Sequence, residues 1–102
     1  MYLALIADVI DSKMVQERFD LQKQLEKTLQ TMNELFGEFI ASNFTLTLGD
    51  EFQGLLKVDA PVFQIIDTLR SELTPTQLRF GIGLGEIVTD IDPLQSIGKS
   101  AV

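Results

Sequence analysis

The chain has 102 residues, 45% of them hydrophobic, with 15 acidic against 8 basic residues and a formal net charge of −7. That composition suits one small domain with a true core and is too apolar for a disordered tail, while the acidic balance opposes direct binding to a nucleic-acid backbone. Cysteine and histidine are both absent, which excludes disulfides, thiolate zinc sites, cysteine nucleophiles and Ser-His-Asp triads from this segment.

Residues 3–10 form a nearly continuous apolar run broken by Asp8, the pattern of a central strand buried on both faces. Asp11, Ser12 and Lys13 make a polar break. Leu21, Leu25, Leu29, Met32, Leu35 and Phe36 then recur at spacings of three and four, with Gln22, Lys23, Glu26, Lys27 and Gln30 between them, which predicts an amphipathic helix with one buried stripe. Gly37 is its expected end, with a further turn through Phe39 and Ile40 as the alternative. Residues 44–48 and 52–56 read as the arms of a β-hairpin whose tip carries Gly49, Asp50 and Glu51. Asp59 as a cap and Pro61 in the first turn predict a second helix, with Val62, Ile65, Ile66, Leu69 and Leu73 as its apolar face and Thr74-Pro75 as its end. Residues 78–85 alternate strictly, a strand signal of period two. Residues 96–102 look like a loop entering a helix that is then cut off, so the chain is expected to be the N-terminal part of a longer protein.

The order is β-α-β-β-α-β, which predicts an α+β, ferredoxin-like or palm domain over residues 1–102: an antiparallel sheet with two helices on one face. In that arrangement the first and third strands are central neighbours, and Asp8 at the end of the first comes close to Asp50 in the hairpin turn. No apolar run approaches the ~20 residues that span a bilayer, and no basic n-region precedes the first strand. No membrane association is expected, and a cytoplasmic location is the default.

Paired carboxylates on strand ends can hold Mg2+ or Mn2+ together with phosphate oxygens and water. Asp8 and Asp50 are the expected metal ligands, with Glu51 or Asp11 as a third. The backbone amides of Val9, Ile10, Asp11 and Ser12 form a candidate phosphate cradle, and Gly49 joins the nucleotide-binding set from the turn. A cation there would also reconcile an acidic chain with a nucleotide. A local reading stands beside this one: Gly-Asp suits turn geometry by itself, and Asp8 is simply solvated if the strand ends at Ala7. Gly81, Gly83 and Gly85 share one strand face with Arg79, which suggests close approach by a ligand, a second chain or, most commonly, a helix. Gly98-Lys99-Ser100 resembles the end of a P-loop, but Pro93 stands where that motif needs glycine, and the reading is rejected.

Three motifs together, Ile6-Ala7-Asp8-Val9-Ile10-Asp11-Ser12, Leu46-Thr47-Leu48-Gly49-Asp50-Glu51-Phe52 and Arg79-Phe80-Gly81-Ile82-Gly83-Leu84-Gly85-Glu86-Ile87, resemble the N-terminal half of the bacterial SatD family. The resemblance covers essentially the whole chain. More distantly the pattern is similar to class III nucleotidyl cyclases, in which an Asp on the first strand and an Asp in a Gly-Asp hairpin hold two metal ions. It is also similar to GGDEF diguanylate cyclases, under which the metal role passes to Glu51. The cyclase pattern is the better fit because of Gly85-Glu86. These resemblances imply Asp8 and Asp50 as metal carboxylates, a nucleoside triphosphate or other nucleotide as ligand, and a homodimer. The sequence departs from the cyclases at Thr47, where a purine-reading Lys commonly stands, and it holds no downstream helix with the Asn and Arg of their transition-state site. No catalytic residue is assigned. The expectation is a regulatory domain with a cyclase-like fold that binds metal and nucleotide without complete catalytic machinery. The alternatives are an active nucleotidyl transferase or cyclase in the full-length dimer, and a plain ferredoxin-like interaction domain.

Overall fold

Leu5, Ala7 and Val9 are buried on one side of β1 (Tyr2–Val9), while Ile6 between them is 39% exposed. β1 is therefore central but buried on one face only, not on both as its apolar composition predicts. The apolar residues of its outer face, Ala4 and Ile6, meet no helix among the described residues. The computed structural model describes residues 1–10 and 18–85. The polar break at Asp11, Ser12 and Lys13 and the whole segment after Gly85 lie outside them.

After β1 come α1 (Arg18–Leu35), a single 3-10 turn (Gly37–Phe39), β2 (Ile40–Leu48), β3 (Glu51–Lys57), α2 (Val62–Leu73) and β4 (Leu78–Gly85). The four strands form one sheet in the order β2-β3-β1-β4, and every neighbouring pair is antiparallel. The fold is α+β, with β1 and β3 adjacent in the centre as the element order implies. Leu5, Ala7 and Val9 of β1 and Phe52 and Leu56 of β3 join Leu21, Leu25, Leu29 and Met32 of α1 and Ile65, Ile66, Leu69 and Leu73 of α2 in one core. Burying each such side chain stabilises the fold by about 1.5–3 kcal/mol before the entropy of ordering it is subtracted. No helix among the described residues is long and apolar enough to cross a membrane.

The differences from the predicted boundaries have local causes. Leu35 is exposed and ends α1, and the chain tightens through the 3-10 turn before Ile40 enters β2, so the helix does not continue through Phe39 and Ile40. The residue at the N-cap of α2 is Pro61, and no side-chain cap is made there, so Asp59 does not cap the helix. β2 starts earlier than its apolar run suggests and is irregular: its register against β3 shifts between Ile40 and Ser42, between Ser42 and Thr45, and between Leu46 and Leu48.

Two contacts accommodate this irregular strand. At the register shift, Asn33 of α1 takes the place of a neighbouring strand. Its Nδ2 donates to the Phe44 carbonyl at 3.1 Å and its Oδ1 accepts from the Phe44 N–H at 2.8 Å. The Phe44 ring lies over Gly54 and packs edge-on against Phe52 with centroids 6.4 Å apart. A Cβ on Gly54 would come within 2.5 Å of the ring, so glycine is the residue that lets Phe44 into the core. Gly54→Ala is expected to destabilise the fold by about 1–3 kcal/mol through overpacking. Asn33→Ala, which strips two partly buried backbone groups of their partner, is expected to cost about 1–3 kcal/mol. Both are read from the urea midpoint followed by circular dichroism; a midpoint unchanged by either substitution contradicts the corresponding contact.

Candidate functional site

The registers of β1 set the geometry of the sheet end. Asp8 lies directly across from Glu51 on β3 and from Arg79 on β4. In antiparallel pairs, opposed residues share a face, so Glu51, Asp8 and Arg79 form a row on the face away from the helices. The hairpin turn Gly49-Asp50 abuts the same end, where the Val9 N–H donates to the Asp50 carbonyl at 3.0 Å. Residues far apart in the chain are brought together because β1 runs between β3 and β4.

Asp8 is held by a two-pronged contact. Arg79 Nε donates to Oδ1 and Nη2 to Oδ2, both at 3.1 Å. Planar guanidinium and carboxylate match in this arrangement, which is the stronger form of ion pair. The side chains of Arg79 and Asp8 are nevertheless 71% and 35% exposed, so water and salt screen the attraction. Glu51 and Asp50 are both half-buried. The site thus sets a cation beside Asp8 within a neighbourhood that is acidic overall.

The backbone of the predicted phosphate cradle is partly engaged. Val9 N–H binds the Asp50 carbonyl, and Ile10 N–H binds the Gln77 carbonyl at 2.9 Å. Neither amide is turned to a phosphate, because β1 uses both to hold the segments that flank its end. Asp11 and Ser12 lie outside the described residues, as do Glu86 and the Gly98-Lys99-Ser100 segment. Among the described residues, no three acidic side chains gather closely enough to hold a metal ion by themselves. Gly49 is exposed, and nothing lies within 4 Å of where its Cβ would be.

Among the described residues, no helix packs on Gly81, Gly83 and Gly85. They stand across from Ile6, Ala4 and Tyr2 on the face away from the core, and nothing lies within 4 Å of a Cβ placed on any of them. A cleft of about 410 Å3, lined by Ile10, Arg70, Thr74, Pro75, Thr76, Gln77 and Leu78, opens where β1 meets the α2–β4 connection. Arg70 lies 5.5 Å above the Phe80 ring, and Asp8, Glu51 and Arg79 are not part of the cleft lining.

A model of the SatD family matches residues 2–101. The chain belongs to the SatD family. The match takes in β1, the hairpin and β4, so the Glu51-Asp8-Arg79 row is built entirely from the SatD-family region. No curated protein and no solved structure matches this SatD-family chain.

Arg79 is the member of the row that sequence reasoning missed. As an isolated charge at the start of a strand it reads as solvated. Its link to Asp8 depends on the β1–β4 register, which alternation alone does not specify. An exposed, salt-screened pair is expected to contribute about 0.2–1 kcal/mol. A double-mutant cycle with Asp8→Asn and Arg79→Met, measured by urea unfolding, is expected to return a coupling in that range at low salt and a smaller one at high salt; zero coupling at low salt contradicts the pair.

Proposed function

We propose that this SatD-family domain is a regulatory module of ferredoxin-like, palm topology that binds a nucleotide through a divalent cation, Mg2+ or Mn2+, at the end of its sheet. The sheet order, with β1 and β3 central, supports that topology. The observation that carries the binding reading is the convergence of Asp8, Glu51 and the Asp50 turn with one arginine.

The chemistry follows from competition for Asp8. A divalent cation between Asp8 and the hairpin acids offers its carboxylate a stronger partner than an exposed guanidinium. Asp8 and a hairpin acid would hold the cation, and the Arg79 guanidinium, with its planar array of donors, would then be available to phosphate oxygens. Metal and phosphate then bind cooperatively: each removes an obstacle for the other, in the acid–arginine pair or in the charge of the acidic face. Asp11 and Ser12, next in the chain, supply the further donors. Asp50 is the favoured second carboxylate, and Glu51, across from Asp8, is the alternative. Binding is the activity proposed, because no residue among the described ones is assigned a catalytic role and Thr47 stands where a base-reading cation is common.

A second reading rests on the same ion pair. Arg79 already neutralises Asp8, so the row also works as a clasp between β1 and β4 in an interaction domain that takes no ligand. Calorimetric titration of Mn2+, with and without ATP or GTP, separates the two. Binding of the nucleotide only with Mn2+, lost in Asp8→Ala and in either Asp50→Ala or Glu51→Gln, is the expected result, and the hairpin variant that loses it identifies the second ligand. Wild-type protein that takes up neither metal nor nucleotide leaves the clasp as the role of the row.

A further inference from the structure

The end of α1 and the start of α2 lie together at the end of the sheet opposite Asp8. Ile40 pairs with Leu56 and Leu56 with Leu3, so the segments that follow α1 and precede α2 both stand beside the start of β1. Between the two helices is a groove of about 480 Å3. Phe36, Phe39 and Pro61 give it an apolar lining, with Leu35 on the α1 side. Phe36 is buried and Phe39 packs against the core, whereas Leu35 is 61% exposed. Gln64 and Thr68, about one turn apart on α2, form the facing wall. The whole lining belongs to the continuous described stretch 18–85. Arg70, on the other flank of α2, lies over Phe80 of β4, so α2 stands between the groove and β4.

The charges at this groove are of one sign. Glu38 and Asp59 complete the lining, and both are exposed. Glu34 stands in the last turn of α1, which holds no basic residue. A helix C-terminus carries partial negative charge and is favoured by a neighbouring Lys or Arg; here Glu34 and Glu38 occupy that place. Asp59 has a local reason to be where it is, because it precedes the N-terminus of α2. Glu34 and Glu38 have none. Among the described residues, no base forms an ion pair with Glu34, Glu38 or Asp59.

We infer that the groove between α1 and α2 docks a basic amphipathic helix of a protein partner. Apolar side chains from successive turns of that helix enter between Leu35, Phe39 and Pro61, and Lys or Arg on its flank meet Glu34, Glu38 and Asp59. Charge complementarity selects this occupant. The acidic rim repels a nucleic acid or an anionic membrane surface. A second copy of this chain brings a net charge of −7 of its own, whereas a basic segment is drawn in by the same charge. The docking does not depend on the cation site, since the groove shares no residue with the Glu51-Asp8-Arg79 row.

The test uses the full chain and two fluorescein-labelled amphipathic helical peptides, one built of leucine and lysine and the other of leucine and glutamate, titrated by fluorescence anisotropy. Wild type is expected to bind the leucine-lysine peptide and not its acidic counterpart. Glu38→Lys is expected to weaken that binding by about tenfold or more, because like charges then meet at the rim. Leu35→Gln, which removes an apolar wall without changing charge, is expected to weaken it by about fivefold. Glu72→Lys, at the far end of α2, changes the net charge as Glu38→Lys does and is expected to stay within about twofold of wild type. Thermal melts by circular dichroism establish that the variants fold; if Leu35→Gln does not, Gln64→Lys at an exposed position of the facing wall carries the same test. A wild type that binds neither peptide overturns the inference, and is the outcome if another part of the same chain fills the groove. Equal losses in Glu38→Lys and Glu72→Lys overturn it too, since net charge alone then attracts the peptide. Full binding by folded Leu35→Gln overturns the groove as the place of contact.

Discussion

β1 is the strand against which everything else is registered. Its backbone pairs with β3 on one side and β4 on the other, and its side chains divide between a helix-covered face and an open one. Because successive residues point to opposite faces, sliding β3 by one residue against β1 would turn Phe52 and Leu56 out of the core and Glu51 into it. Burial of Leu5, Ala7 and Val9 with Phe52 and Leu56 beneath α1 and α2 therefore fixes the register. The position of every residue at the sheet end follows from it.

The polar chemistry of the domain is a consequence of that apolar constraint. Asp8 follows buried Ala7 and precedes buried Val9, so it must point to the open face. There the same register sets it between Glu51 and Arg79. Two carboxylates side by side repel each other, and the guanidinium of Arg79 offsets that repulsion at one end of the row. The arrangement holds charge in balance without burying it, which keeps the ions accessible to water and to a competing ligand.

The two edges of the described sheet, β2 and β4, differ for the same reason. β2 carries the large Phe44 into the core, and Gly54 on β3 makes room for its ring. Bringing that ring inward bends β2 out of register, and Asn33 satisfies the backbone that the bend frees. β4 has no such demand placed on it. Its small and apolar residues lie flat along β1, leaving a regular strand whose outer edge is open among the described residues.

Hydrophobic periodicity was enough to place the helices and strands, and the β-α-β-β-α-β order pointed to β1 and β3 as central neighbours. Residues 78–85 alternate so strictly that the limits of β4 were legible in full, and the motifs around Asp8, Asp50 and Gly81 pointed to the family. Periodicity is a local property, however, and it is silent about what lies across a strand. The apolar run of residues 3–10 therefore suggested burial on both faces, where the tertiary structure covers one. The glycines of β4 suggested a packed helix, where no helix among the described residues covers them. Only the tertiary structure joined Arg79 to Asp8, seated Phe44 over Gly54 and turned the amides of Val9 and Ile10 to the Asp50 and Gln77 carbonyls. Each of these depends on the register between strands distant in sequence, and that register is set by how the whole core closes rather than by any one segment.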